Sequence, residues 1–347
     1  MKTLAVTMGD PGGIGPEIVV KALHSAEVRD ICMPVVIGDS SVIEATLSLL
    51  KSPLELRIIK TQKDLKPSKE TIEVIHVIPP NPPLEKGGII TAGQKRVKGE
   101  ISSDIFDKNR PTAKGGRACA GYIKKAVEFA LNKHVKGIVT APISKEALKM
   151  AGCSWPGHTE MLADLTGTKD YAMMLTGGPL RVILVTIHTA LKNVPDLITK
   201  QKIVTTIRLA KKACDMLGMK KPRIAVAGLN PHAGEAGMFG DEETRKIIPA
   251  IKMAVREGIP VSGPYPPDTV FHKAYKGEVD IIICMYHDQG LIPLKMIAFD
   301  TGVNVTVGLP FVRTSPDHGT AYDIAWKGIA DPSSMIEAIK LAVRLRI

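Results

Sequence analysis

The chain has 347 residues, enough for one large α/β unit or two lobes with separate cores, and its 44% hydrophobic and 23% charged residues argue against a disordered chain. No apolar run approaches the roughly 20 residues of a membrane span, and aromatic residues at 4% leave little material for stacking on nucleic acid. The formal net charge of +11 is interspersed with acids and forms no long block, so it points to an anionic substrate and a dinucleotide rather than to nucleic acid.

Short β-rich runs alternate with helical stretches, as a mostly parallel α/β sheet requires. A strand is expected at 4–8, then the loop GDPGGIGPE at 9–17, a helix over 15–26 and a strand at 34–38. The apolar stretch before that loop is too short for a signal peptide, so a cytoplasmic protein is expected. Residues 78–93, IPPNPPLEKGGIITAG, are too rich in proline and glycine for a long regular element. Residues 99–115, GEISSDIFDKNRPTAKG, read as an exposed polar loop. A helix over 116–133 and a strand at 136–140 come next, and a change of lobe is expected between about 140 and 160, where turn residues mix with short periodic pieces. Strands follow at 181–188, 223–228, 279–285 and 304–307, and helices over 196–217, 242–257 and 333–345. The cysteines, Cys32, Cys119, Cys153, Cys214 and Cys284, form no C-x-x-C pair and read as free buried thiols in a reducing compartment.

Three histidines share one local context. His188 ends RVILVTIH, His232 follows RIAVAGLNPH, and His287 closes DIIICMYH. Ligands of an open parallel sheet bind in the crevice outside the strand carboxyl ends, so imidazoles there can converge without any short sequence spacing. Neutral imidazole suits Zn²⁺ and other transition metals, and three ligands leave positions open for substrate. Each histidine alone reads better as a hydrogen-bonded strand-end residue. The repeated position is what suggests a shared site, and by itself it suits a metal-dependent hydrolase or decarboxylase as well as a dehydrogenase. Asp288 reads as a carboxylate that orients the His287 ring or as a helix cap.

GDPGGIGPE follows a strand and opens a helix, the setting for an anion at a helix N-terminus. It does not match G-x-G-x-x-G, no Walker motif is present, and by spacing it is a tight turn. A second set carries the donors and positive charge that a phosphate requires: His158 and Thr159 in PGHTE, Lys295 in LIPLK, Asn304 in GVNVT and Arg313 in PFVRTS. Taken singly, Lys295 and Arg313 read as solvated surface charges and Asn304 as a turn residue. Spacing alone does not assemble them.

The segments GDPGGIGPE at 9–17, TAPISKEAL at 140–148, PGHTE at 156–160, GLNPHAGE at 228–235, PPDTVF at 266–271, MYHDQGLIPLK at 285–295 and GVNVTVGLPFVRTSPDHGTA at 302–321 occur in one order across nearly the whole chain. In them the chain resembles the 4-hydroxythreonine-4-phosphate dehydrogenase family of vitamin B6 biosynthesis, with its D-threonate and D-erythronate 4-phosphate dehydrogenase paralogues. The resemblance implies metal ligands at His188, His232 and His287 and substrate-binding residues at His158, Thr159, Lys295, Asn304 and Arg313. It implies a fold like isocitrate and isopropylmalate dehydrogenases, two α/β/α lobes around a cleft, one of about 1–145 plus 300–347 and the other about 146–299. Also implied are a homodimer with the active site at the interface, NAD (or NADP) as cofactor without a Rossmann fingerprint, and a divalent Zn, Co or Mg ion. The implied reaction oxidises a hydroxyl beside a phosphorylated carbon and then releases CO₂, with Lys295 or a bound water in proton transfer. The stretch at 94–116 looks longer and more charged than the family's usual connection and marks a possible change of substrate.

Overall fold

Runs such as LAVT at 4–7 and IIIC at 281–284 become strands buried at every position, as strands covered on both faces must be. The computed structural model describes residues 1–66, 68–78 and 107–347. The proline- and glycine-rich stretch from 79 and the charged stretch up to 106 lie outside the described residues. The described strands are β1 (Lys2–Thr7), β2 (Cys32–Gly38), β3 (Glu55–Ile59), β4 (Thr71–His76), β5 (Gly137–Thr140), β6 (Ala172–Gly177), β7 (Leu180–Leu184), β8 (Ile224–Ala227), β9 (Val261–Tyr265), β10 (Ile281–Cys284), β11 (Val303–Val307) and β12 (Val312–Pro316).

The chain divides into two units, residues 1–167 with 313–343 and residues 168–312 with 344–347. The first change of unit falls at 167/168, later than the expected 145, because the helix His158–Thr166 packs against the helix Ala113–Leu131 of the first unit. The return falls at 312/313, where 300 was expected.

In the first unit the strand order is β3-β4-β2-β1-β5-β12. β1 pairs parallel with β2 and β5, and β4 pairs parallel with β2 and β3. The helix Ala113–Leu131 lies against β1, β2 and β5 and buries Ala118, Tyr122, Ile123 and Ala126. It begins before the expected 116, because the Thr112 hydroxyl accepts from the Gly115 N–H at 2.9 Å. Residues 113–115 are therefore helix rather than loop.

In the second unit the order is β11-β6-β7-β10-β8-β9. β7, β10, β8 and β9 are parallel, whereas β6 runs antiparallel to both β7 and β11. Alternate strand residues Leu175, Val182, Leu184, Ala225, Ala227, Ile282 and Cys284 form one core face with Val270 and Ala274 of the helix Pro267–Tyr275 and Leu291 and Leu294 of the helix His287–Ala298. The helix Lys200–Met216 also packs on β7, β8 and β10. It was expected to start at 196, but Val194–Leu197 forms a separate short helix and Ile198 is extended. The Thr199 side chain then caps the longer helix by accepting from Lys202 N at 3.2 Å.

All five cysteines are free, and all but Cys153 are buried. No helix among the described residues is long and apolar enough to cross a membrane.

Candidate active site

The three histidines lie just beyond neighbouring strands of the second unit. β7 stops at Leu184, and His188 follows it, exposed and held at φ +32°. β10 stops at Cys284, and half-buried His287 opens the next helix. Their ring centroids are 5.6 Å apart. Two imidazoles on one tetrahedral ion with metal–nitrogen bonds of about 2.0–2.1 Å place their centroids about 5 Å apart, so this spacing suits a shared cation. His287 Nδ1 is 2.7 Å from the Asp288 carboxylate, which leaves Nε2 to face a ligand. Of the two sequence readings of Asp288, the geometry supports the orienting carboxylate, since the helix is capped by no side chain.

His232 follows β8 within a turn of unusual hand. His232, Ala233, Gly234, Glu235 and Ala236 take φ of +52°, +55°, +84°, +40° and +54°. Left-handed backbone costs an L-residue roughly 1–2 kcal/mol per residue, and such segments persist only where their surroundings over-determine them. Here the surroundings are Glu243, 1% exposed, whose carboxylate accepts from Leu229 N at 2.7 Å, Asn230 N at 2.8 Å and Asn230 Nδ2 at 3.0 Å. Glu243 opens a π-helical turn, Glu243–Ile247, which aims the carboxylate back at the turn. A Cβ on Gly234 would sit 2.7 Å from Glu243 Oε2, so only glycine fits there. His232 itself is exposed, with its ring centroid 6.0 Å from that of Phe239. Among the described residues no group of three or more His, Cys, Asp or Glu side chains is placed to hold a metal ion, so one chain brings His188 and His287 together but not all three.

The phosphate candidates divide between the units. In the first, His158 and Thr159 open the helix His158–Thr166, and Arg313 lies on β12. Arg313 is 2% exposed, not the solvated charge that hydropathy suggests, and its Nη2 donates to Thr140 Oγ1 at 2.7 Å. Burial pushes its pKa down from 12.5 to about 10, opposed by the charge of Glu160, so it stays a cation at neutral pH. Burial, and then the charge of Arg313, hold His158 well below 6.5, so its ring is neutral. His158 Nε2 is shut off from solvent with no hydrogen-bond partner among the described residues. Buried polar atoms are rarely left unsatisfied, and an incoming ligand oxygen would supply the missing partner.

In the second unit, Asn304 lies on β11 rather than in a turn, and its buried Oδ1 also lacks a partner among the described residues. Lys295, half-buried, is in the last turn of the helix that begins at His287, with Nζ 5.7 Å from the Phe299 ring centroid.

The GDPGGIGPE loop folds onto its own chain. Gly9 takes φ +77°, and a Cβ there would meet the Pro142 carbonyl at 2.5 Å. Asp10 accepts from Gly12 N at 2.9 Å and from the Tyr322 hydroxyl at 2.8 Å, and burial raises its pKa. The loop is the tight turn its spacing suggests. Thr140 and Glu243 went unnoticed in the sequence, because a threonine closing a strand and one glutamate in GDEETRK carry no pattern of their own.

Residues 30–342 match the family model described as pyridoxal phosphate biosynthetic protein PdxA. A 4-hydroxythreonine-4-phosphate dehydrogenase of Desulfosudis oleivorans is 47% identical over 342 residues, covering 98% of this chain and 95% of the relative. A D-threonate 4-phosphate dehydrogenase of Salmonella typhimurium is 46% identical over 345 residues, covering 99% of each. The crystal structure of 4-hydroxythreonine-4-phosphate dehydrogenase from Klebsiella pneumoniae superposes with a TM-score of 0.85 at 42% identity, covering 99% of this chain and 100% of that one.

Proposed function

Since the chain belongs to the pyridoxal phosphate biosynthetic protein PdxA family, we propose that it is an NAD-linked, metal-dependent dehydrogenase that oxidises and decarboxylates a 4-phosphooxy-3-hydroxy acid, with 4-hydroxythreonine 4-phosphate as its substrate. The observation that carries the reading is the end-to-end relationship to dehydrogenases named for phosphorylated hydroxy acids. The chemistry of the site supports it. His188 and His287 fit a divalent cation, and imidazole donors favour Zn²⁺ or Co²⁺ over Mg²⁺. A cation there supplies Lewis-acid polarisation of the substrate hydroxyl and of the carbonyl that replaces it. In the first unit Arg313 offers a phosphate a buried guanidinium and neutral His158 and Thr159 add hydrogen bonds, while Lys295 and Asn304 of the second unit are further substrate-binding residues of the same reading. Lys295 or a bound water takes the proton of the oxidised hydroxyl.

The same reading includes a cytoplasmic homodimer with the active site at its interface. One chain gathers two of its three histidines, so a second copy has a ligand position to fill. The helix His287–Ala298 also exposes a stripe of Ile292 and Met296 that continues to Phe299, at 60%, 81% and 74% exposure, which suits a covering partner. Its test is NADH formation at 340 nm with Zn²⁺ or Co²⁺. D-threonate and D-erythronate 4-phosphates belong in the same screen, because the D-threonate relatives are as similar, 46% against 47%. Failure of all three substrates with both NAD and NADP would overturn the reading.

A further inference from the structure

The segments carrying the histidines leave the sheet from β7, β10 and β8, which lie side by side in that order. Their ladders end short of the site. β10 pairs with β7 as far as Cys284↔Leu184 and with β8 as far as Ile283↔Val226. Beyond those points the strands no longer fix the distance between the loops, yet a shared cation tolerates little error in its donors.

Two buried side chains continue the tie where the ladders stop. Thr186, 2% exposed, donates from its hydroxyl to the Met285 carbonyl at 2.7 Å, and its own N–H reaches the same oxygen at 3.2 Å. Gln289, 7% exposed, accepts from Met285 N at 2.7 Å and donates from Nε2 to the Gly228 carbonyl at 2.7 Å. The stretch around Met285, just before His287, is thus held by Thr186 from the His188 side and by Gln289 from the His232 side. Glu243 carries the tie onward from Gly228 by holding Leu229 N and Asn230 N. A glutamine suits the central place because one neutral amide accepts and donates at the same end.

We propose that Gln289 is a positioning residue for the metal-binding pair His188 and His287, anchoring the stretch that leads into His287 to the Gly228 carbonyl without itself touching the ion. The proposal rests on the metal reading given under Proposed function. Its consequence is that Gln289 tunes cation affinity, as residues that orient metal ligands do at about 10–100-fold.

The test uses the full-length protein with Co²⁺ as probe. Affinity is measured by calorimetry, donor geometry by the visible Co²⁺ spectrum, and integrity by the metal-free thermal midpoint. Gln289→Met keeps the volume and loses both bonds. It is expected to bind Co²⁺ about 10–100-fold more weakly with an altered spectrum, while its metal-free midpoint reports the separate stability cost of the two lost bonds. Gln289→Glu, which keeps the acceptor for Met285 N, falls between the two. Wild-type affinity and spectrum in Gln289→Met overturn the proposal. If that variant does not fold, Gln289→Glu, which loses the bond to the Gly228 carbonyl, decides instead, and wild-type Co²⁺ affinity and spectrum there overturn the proposal equally. Absence of Co²⁺ binding by the wild type brings down the metal reading and this proposal together, whereas equal binding by wild type and variants removes this one alone.

Discussion

Arg313 offers a separation between what binds substrate and what holds the fold. The guanidinium is 2% exposed, and burial lowers its pKa from 12.5 to about 10. At about 1.4 kcal/mol per pH unit, that displacement is roughly 3 kcal/mol. A base whose native pKa is depressed costs the native state its full penalty below the lower value, and the penalty disappears above the upper one. At pH 7 the charge is therefore carried at full cost. Arg313→Met keeps much of the volume, removes the charge, and leaves the Thr140 hydroxyl without the bond at 2.7 Å, a loss of about 1–2 kcal/mol. The balance leaves the thermal midpoint unchanged or raised by a few degrees. Charged hydrogen bonds are worth about 1.5–3 kcal/mol each, so kcat/KM for the phosphorylated substrate should fall by about 10²-fold. Steady-state kinetics beside a thermal melt give both numbers. An unchanged kcat/KM, or a midpoint that collapses with activity, would refute the reasoning.

Three further outcomes follow from the same geometry. Native His158 is held well below 6.5, so as pH drops through that value the unfolded chain takes up a proton that the native state refuses, and stability falls. His158→Gln should lose less stability than wild type between pH 7 and 5 in urea titrations, and equal losses would contradict the assignment. Gly234→Ala places a methyl 2.7 Å from Glu243 Oε2 at φ +84° and should cost about 1–3 kcal/mol, read as a lower denaturant midpoint; an unchanged midpoint would show that the turn relaxes freely. Met296→Glu puts a charge in the exposed apolar stripe and should halve the mass seen by sedimentation, whereas a persisting dimer would place the interface elsewhere.

Strands such as LAVT and IIIC were legible in the sequence because burial on both faces writes an unbroken apolar run. β3, β4, β6, β9 and β12 were not. β3 reads ELRII and has a largely exposed pattern, and β9 contains Gly263–Pro264, which an edge strand tolerates. β12 reads VRTSP, and hydropathy gives it the wrong sign. Its polar residues are buried because they find partners in three dimensions, Arg313 with Thr140 and the Thr314 hydroxyl with the Ala338 carbonyl at 2.8 Å. The strand-end histidines were legible as a repeated position, but the pairing of His188 with His287, and the separate placing of His232, depend on loop geometry that no local pattern encodes.

The left-handed turn at 232–236 makes the place of His232 depend on a residue outside its own loop. Four of its five residues carry side chains that disfavour their own backbone conformation, so nothing local drives the turn to form. Its hold is the carboxylate of Glu243, which the following helical turn carries. The placing of His232 therefore depends on that carboxylate. A chain in which that helical turn is undocked lacks the support that holds the His232 loop in its left-handed form.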